Sequence, residues 1–408
     1  MTNYDAIVVG AGIAGKATSL RLAQLGMKIL HIAPSFDTGF NSIDQNAWDS
    51  RIYALSASTQ QLLNDMNVWE SMDISRIQVV SDMRIFGDIS DKNNELHFSA
   101  YSATVPQLAW IVESGHIEKT LDMACKFSGN IERVSDLVAD FMVSADSVSV
   151  TTQSGQRFEG KLLLAADGAK SPIREKLQIE TTSNAYDQTA VVANFKCEKH
   201  HQGTACQWFL PNGEILALLP LPDKKLSMVW SARPAHAEKL KNMSGEELCE
   251  AILQAHTQMK ERTGHLEMMT PPQSFPLRRM KAKRILGPDN NSQPNPHINP
   301  RVVLIGDAAH VMHPLAGQGL NLGLRDVATL GNIFKSKEDF RSIDDPVLLR
   351  RYERSRHGDT DALLFTTDQL QKLFISESNH LKTVRNFGLK LVNRSAFLKR
   401  QLIKKALA

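Results

Sequence analysis

The chain has 408 residues, a length that suggests two to three domains. Hydrophobic residues make up 42% and charged residues 22%, near globular averages, which excludes a disordered or low-complexity chain; a net charge of +3 gives no general case for nucleic-acid binding. The cysteines Cys125, Cys197, Cys206 and Cys249 lack CxxC spacing, so neither a zinc site nor a disulfide framework is expected, and a reducing compartment fits.

The first residues, Met1 to Asp5, are polar and carry no basic run of the secretory type, and no window offers about 18 uninterrupted apolar residues. A cytoplasmic protein is expected, with peripheral contact to the inner face of a membrane left open. Ala6 to Val9 is a continuous apolar run, as a buried parallel strand requires. Gly10-Ala11-Gly12-Ile13-Ala14-Gly15 follows, then an amphipathic helical pattern ended by Gly26, then a second strand at Lys28 to Ile32. This βαβ unit admits two readings, a dinucleotide-binding turn or a structural glycine turn. The strand before it and the helix after it favour the first. Gly10 permits the tight turn, Gly12 lets backbone approach a pyrophosphate, and Gly15 lets helix and strand pack closely. The acid that normally ends the second strand and binds the ribose is missing: Ala33 and Pro34 stand there, and Asp37 lies farther into the loop.

Two further strand-then-turn units occur. Leu162 to Ala166 leads into Asp167-Gly168, with Ser171 and Arg174 beyond, and Val302 to Ile305 leads into Gly306-Asp307. Each aspartate alone could open a helix as its cap. Together with the first glycine turn, they point to one shared cofactor at the ligand-binding edge of an α/β sheet. The segment His313 to Asp326 makes a Pro- and Gly-containing loop followed by a helix whose N-terminus would stabilise an anionic ring edge. Between about 183 and 275 the pattern resembles antiparallel strands interrupted by a helix at Gly245 to Gln258, and from Pro346 the chain looks helical. Residues 381–408 carry eight Lys or Arg and no acid; subtracting that +8 from +3 leaves −5 for residues 1–380. Such a basic segment is either a helix packed on the body or a contact for anionic lipid or an acidic partner.

These features together resemble the aromatic-ring flavin monooxygenases, and His313 to Asp326 resembles the signature of their ubiquinone-biosynthesis branch. Asp49 to Ser56, Ile111-Val112-Glu113, Ala217 to Leu221 and Phe275-Pro276-Leu277 also resemble that branch; Ala33 and Ser114 depart from it. The resemblance implies an α/β fold: a Rossmann-type FAD-binding domain, an inserted mixed-sheet α+β substrate domain and a helical C-terminus. The expected boundaries are 1–70, 101–182 and 276–350 for FAD, 71–100 and 183–275 for substrate, and 351–408 for the helical segment. It implies a monooxygenase using FAD, NAD(P)H and O2 through a flavin C4a-hydroperoxide to hydroxylate a polyprenylated phenol, without metal or nucleic acid. A small soluble phenol as substrate, or a non-catalytic accessory subunit, are the rival readings.

The resemblance places Gly10, Gly12, Ile13, Ala14 and Gly15 at the pyrophosphate, Arg51 at a ribose or phosphate, and Gly306 and Asp307 at the ribityl chain. Gly317, Gln318, Gly319, Leu320 and Asn321 fall at the flavin edge, and Asp167, with Arg174, between the FAD site and the nicotinamide entry. Catalytic candidates are confined to the flavin loop, at His313, Pro314, Gly317 and Gln318. Trp208, Phe209, Leu218, Met228 and Trp230 are either tunnel walls for a prenyl tail or ordinary core. Glu113 is either a cap or salt bridge or a cofactor contact; His310 shapes its loop or acts as acid or base. The run Arg278, Arg279, Lys281, Lys283 and Arg284 is solvated surface or attracts nicotinamide-cofactor phosphates.

Overall fold

A computed structural model describes residues 3–36, 47–87, 95–288, 299–312 and 318–375. The continuous apolar runs form the centre of the first sheet. Its spatial order is Leu286–Gly287, Val302–Leu304, Arg157–Ala165, Asn3–Val9, Ile29–Ala33 and Ile131–Ser135, and all but the first of these run parallel. Val138–Val143 and Val148–Thr152 extend it as an antiparallel flap. Helices cover the sheet, so its strands are apolar on both faces; Ala6, Ile7, Val8 and Leu162 to Ala165 are fully buried.

The helix Ile13–Gln24 departs from the amphipathic expectation. Lys16, Thr18, Ser19 and Arg21 are buried along with its apolar residues, because Ser114–Lys126 and Gln318–Lys335 pack against it. Arg21 lies across Gly331 of the latter, where an added Cβ would stand 2.8 Å from Arg21 Cγ.

The second sheet has nine strands in the order His310–Val311, Gln273–Ala282, Thr181–Cys197, Lys225–Ala232, Ile215–Leu221, Thr204–Phe209, Asp82–Phe86 and Glu95–Ser99, with Leu266–Met268 beside Thr181–Cys197. The strand Gln273–Ala282 runs through the boundary expected at 275/276, so residues 276–282 belong to this sheet. Its ladder with Thr181–Cys197 runs from Thr181 to Val192, with a register shift between Ala185 and Thr189. The boundary expected at 350/351 likewise falls inside one helix, Pro346–Ile375, whose Leu348, Leu349 and Tyr352 enter the core of the first sheet. A small third sheet, Ile52–Leu55, Ala109–Glu113 and Gln78–Val80, joins the two.

Alternation divides the second sheet into two faces. Val191, Ala193, Phe195, Met228, Trp230, Leu216, Leu218 and Trp208 pack on the helices Pro234–Asn242 and Gly245–Ala255. Trp208, Leu218, Met228 and Trp230 are therefore core. Phe209 points to the opposite face but is buried in a side cluster with Leu96 and Ile215. All five are thus buried in apolar clusters among the described residues.

Candidate functional site

Three turns converge at the C-terminal edge of the first sheet. Gly10 has φ +137°, and a Cβ there would lie 2.1 Å from the Ala166 carbonyl oxygen; a Cβ on Gly15 would lie 2.2 Å from the Gly10 oxygen. Both positions therefore require glycine. Gly12 differs: it is exposed, and a Cβ there meets nothing within 4 Å. It caps Ile13–Gln24 without a side-chain bond, and the first turn holds no acid. That leaves amides and the helix dipole facing open space, a fit for a pyrophosphate. His31 supports the turn from below. Its Nε2 donates to the Gly10 oxygen at 2.8 Å, and burial lowers its pKa to about 4, so the ring is neutral. Sequence reasoning overlooked His31, whose only signal was a polar residue inside an apolar strand.

The second turn follows Arg157–Ala165. Asp167 Oδ2 accepts from Ile173 N at 3.3 Å, while its other oxygen, Oδ1, is buried without a partner among the described residues. Desolvation raises its pKa. A ligand hydroxyl is the kind of donor that oxygen lacks. Arg174 is buried and committed to backbone: Nη1 donates to Ala308 O at 2.8 Å and Nη2 to Ala169 O at 3.0 Å. It staples the second turn to the third rather than reaching for a cofactor.

The third turn is Gly306–Ala308. Gly306 has φ +61°, and a Cβ there would stand 3.2 Å from Ala14 Cβ and 3.9 Å from Gly323 Cα. The N-terminal parts of two helices thus meet at this turn. Asp307 faces solvent at the opening, yet the protein around it withholds enough water to raise its pKa; His310, Arg51 and Arg278 pull the other way. Gln318, Gly319, Leu320 and Asn321 form the first turn of Gln318–Lys335. The Asn321 side chain is already engaged, accepting from Ser56 N at 2.9 Å and donating to Ala54 O at 2.8 Å. His313, Pro314 and Gly317, and the side chain of Gln318, lie outside the described residues.

Arg51 reaches the opening from the loop before Ile52–Leu55. It is exposed, its guanidinium 5.5 Å from the Tyr53 ring centroid and 5.8 Å from that of Phe275. Asp49 fixes the loop, accepting from Arg51 N and Gly115 N, while Asn194 Nδ2 of the second sheet donates to Asp49 O at 2.8 Å. Glu113, fully buried, accepts from Asp49 N at 2.7 Å and takes a bidentate ion pair from Arg76 at 2.8 Å. It is thus a salt-bridged loop anchor. His310 is buried and donates Nε2 to Asp326 at 2.8 Å, which suits a shaping role. In the basic run, Lys281 pairs with Asp361 and Lys283 with Glu180, whereas Arg278 acts on Asp307 and Arg174 across the opening. Ala33 is buried at the end of its strand, and its oxygen accepts from Asp136 N at 2.9 Å.

The second sheet closes the opening with its other face. Asn194 points toward Asp49, so its same-face neighbours Val192 and Ala190 point that way too, as do their cross-strand partners Ser227, Val229 and Ser231, and Ala217 beyond. These are small side chains, with Val229 and Ala217 only half-buried and Phe275 36% exposed beside them. The sequence pattern marked this alternation but not which face would look inward.

A family model described as FAD binding domain matches residues 3–364. The chain is 30% identical to the 3-demethoxyubiquinol 3-hydroxylase of Escherichia coli, with all of both chains covered. It is also 30% identical to the mitochondrial ubiquinone biosynthesis monooxygenase of Homo sapiens, over 98% of this chain and 92% of that protein. Among solved structures, p-nitrophenol 4-monooxygenase from Pseudomonas putida superposes with a TM-score of 0.75 at 16% identity, covering 100% of this chain and 98% of that one. HpxO from Klebsiella pneumoniae, solved with FAD and uric acid, gives 0.73 at 16% identity over 98% and 96%. Glycine turns that leave room for a pyrophosphate, two desolvated aspartates at the strand ends and relatives matched from end to end agree: the chain belongs to the FAD-dependent monooxygenases, in their ubiquinone-biosynthesis branch.

Proposed function

We propose that the protein hydroxylates the aromatic ring of a polyprenylated phenol in ubiquinone biosynthesis, with NAD(P)H and O2 as co-substrates. The observation that carries this is the pairing of an FAD-shaped set of turns with an inward sheet face of small side chains, in a chain whose full-length relatives bear ubiquinone-pathway names. FAD, when bound, supplies hydride acceptance and oxygen activation.

The chain's own residues bind and orient. Gly10, Gly12 and Gly15 keep backbone close to the pyrophosphate, and Arg51 adds a positive charge to it. Asp167 Oδ1 and the Asp307 carboxylate accept from cofactor hydroxyls. The amides at the start of Gln318–Lys335 face the electron-rich ring edge, where a helix dipole favours negative charge. Ala190, Val192, Ala217, Val229 and Phe275 form a largely apolar wall on which the phenol ring lies, excluding water from the reacting carbon. Arg278 attracts the phosphates of the nicotinamide cofactor. No helix among the described residues is long and apolar enough to cross a membrane, and we assign membrane or partner contact to the basic segment 381–408, outside those residues.

The test is turnover of FAD-loaded protein under 18O2 with a prenylated phenol and with its non-prenylated counterpart. One labelled oxygen in the prenylated product, with slow or no turnover of the soluble phenol, is expected. The reverse preference would establish a soluble-phenol hydroxylase instead. FAD-loaded protein inert toward both would favour the accessory-subunit reading.

A further inference from the structure

Asp326 lies in Gln318–Lys335 and is almost wholly buried, yet its pKa is lowered: His310, Arg356 and the Gly306 amide outweigh desolvation. Its Oδ2 accepts from Gly306 N and from His310 Nε2, each at 2.8 Å. Its Oδ1 accepts from Arg356 Nε at 2.7 Å. Arg356 belongs to the helix Pro346–Ile375, is 2% exposed, and among the described residues bonds to Asp326 and Asp359 rather than to the turns. The same helix places Tyr352 Oη 3.5 Å from Leu304 O and accepts from Ile285 N through Glu353 at 3.2 Å. Arg356 Nη1 continues to the exposed Asp359 at 2.8 Å. One buried carboxylate therefore ties the Gly306–Asp307 turn to a helix that the chain adds after both sheets are complete.

We infer that Arg356 is a positioning residue for the cofactor: acting through Asp326, it fixes the Gly306–Asp307 turn, so that docking of the C-terminal helix and binding of FAD are linked. This rests on the cofactor reading of that turn. A buried carboxylate that loses its cation is costly to leave in place and will shift or take up a proton, releasing Gly306 N or His310. Linkage is reciprocal, so FAD must in turn hold the helix.

FAD titration of apoprotein by fluorescence provides the test. Arg356→Met should weaken FAD binding about 10- to 100-fold in protein that remains folded, and Arg356→Lys, which keeps the charge, should recover most of it. In an Asp326→Asn background, Arg356→Met should change affinity by less than about twofold, because the path is already cut. A merely structural role predicts additive losses instead. Should Arg356→Met fail to fold, hydrogen exchange of the unmutated protein decides: FAD should slow amides in residues 346–360 as well as in the turn. Binding by Arg356→Met within twofold of wild type, additive losses, or no FAD-dependent protection of residues 346–360 overturns the inference. Asp307→Ala tests the underlying reading separately: if it leaves affinity unchanged, that reading fails as well.

Discussion

The cofactor edge of the first sheet and the inward face of the second are built by opposite means. At the edge, backbone meets backbone: Gly10 and Gly15 stand where a single methyl group would collide, and Gly306 holds a φ of +61° that side chains rarely adopt. On the second sheet, the opening is bounded by half-buried side chains of modest size, Ala217 and Val229, carried on regular antiparallel strands. The first arrangement fixes one ligand and tolerates almost no change. The second can be reshaped residue by residue without moving the chain.

The sharpest break of this contrast is Gly15→Ala or Gly10→Ala. Each should destabilise the protein by about 3 kcal/mol or more and yield protein without flavin colour, seen in melting curves and absorption spectra. Gly12→Ala is the counter-case. With open space around it, stability should stay within about 1 kcal/mol while FAD affinity falls, because the methyl occupies the pyrophosphate's path.

Next in size is Asp307→Ala, which should weaken FAD binding about 10- to 150-fold through loss of a charged hydrogen bond. Asp167 provides a pH test. Its folded pKa is raised, so the folded protein holds that proton more tightly than the unfolded chain. Its ionised form thus opposes folding at neutral pH, and the penalty fades as pH falls through the raised value. Asp167→Asn should therefore raise the melting temperature of apoprotein at pH 7, with the gain vanishing in acid, while FAD binding weakens. A loss of stability at pH 7 would mean that Asp167 Oδ1 is not held against desolvation for a ligand.

On the second sheet, Val229→Ala should cost about 1 kcal/mol or less, leave FAD affinity within about twofold, and change KM for the phenol. An effect confined to FAD binding would erase the division of labour between the two sheets. The smallest effect concerns the basic segment. Replacing Lys399, Arg400, Lys404 and Lys405 by Gln should reduce binding to anionic vesicles at low salt, each charge contributing about 1 kcal/mol near such a surface. Equal binding by both proteins would remove the lipid contact and leave the flavin site untouched.

The parts of this molecule legible in the sequence are those where local chemistry admits few solutions. A parallel strand covered on both sides must be a continuous apolar run, and a turn with no room for Cβ must be glycine, so Ala6 to Gly15, Leu162 to Gly168 and Val302 to Asp307 were recognisable. Partnerships across distance were not. Nothing near Asp326 announces Arg356, 30 residues away, nor does Asn194 announce Asp49, 145 residues away. The strand Gln273–Ala282 crosses from substrate face to cofactor opening without a change of pattern, so composition could not show that the second sheet extends to 282. Trp208 and Trp230 were ambiguous because large apolar residues fill cores and line tunnels alike; the strand register decided between them.

The order of strands in the first sheet also sets a timetable for synthesis. Asn3–Val9 lies between Ile29–Ala33, which follows almost at once, and Arg157–Ala165, while the turn at Gly306 and its tether at Arg356 come last. A ribosome adding roughly 5–20 residues per second needs on the order of 20–70 s to pass from the first strand to that arginine. Until Arg157–Ala165 is made, the nascent first strand keeps one edge unpaired, and until the interval ends the cofactor has no complete place to bind. Completion of the flavin site is thus a late step of synthesis, and FAD cannot be what guards that edge while it waits for its partner strand.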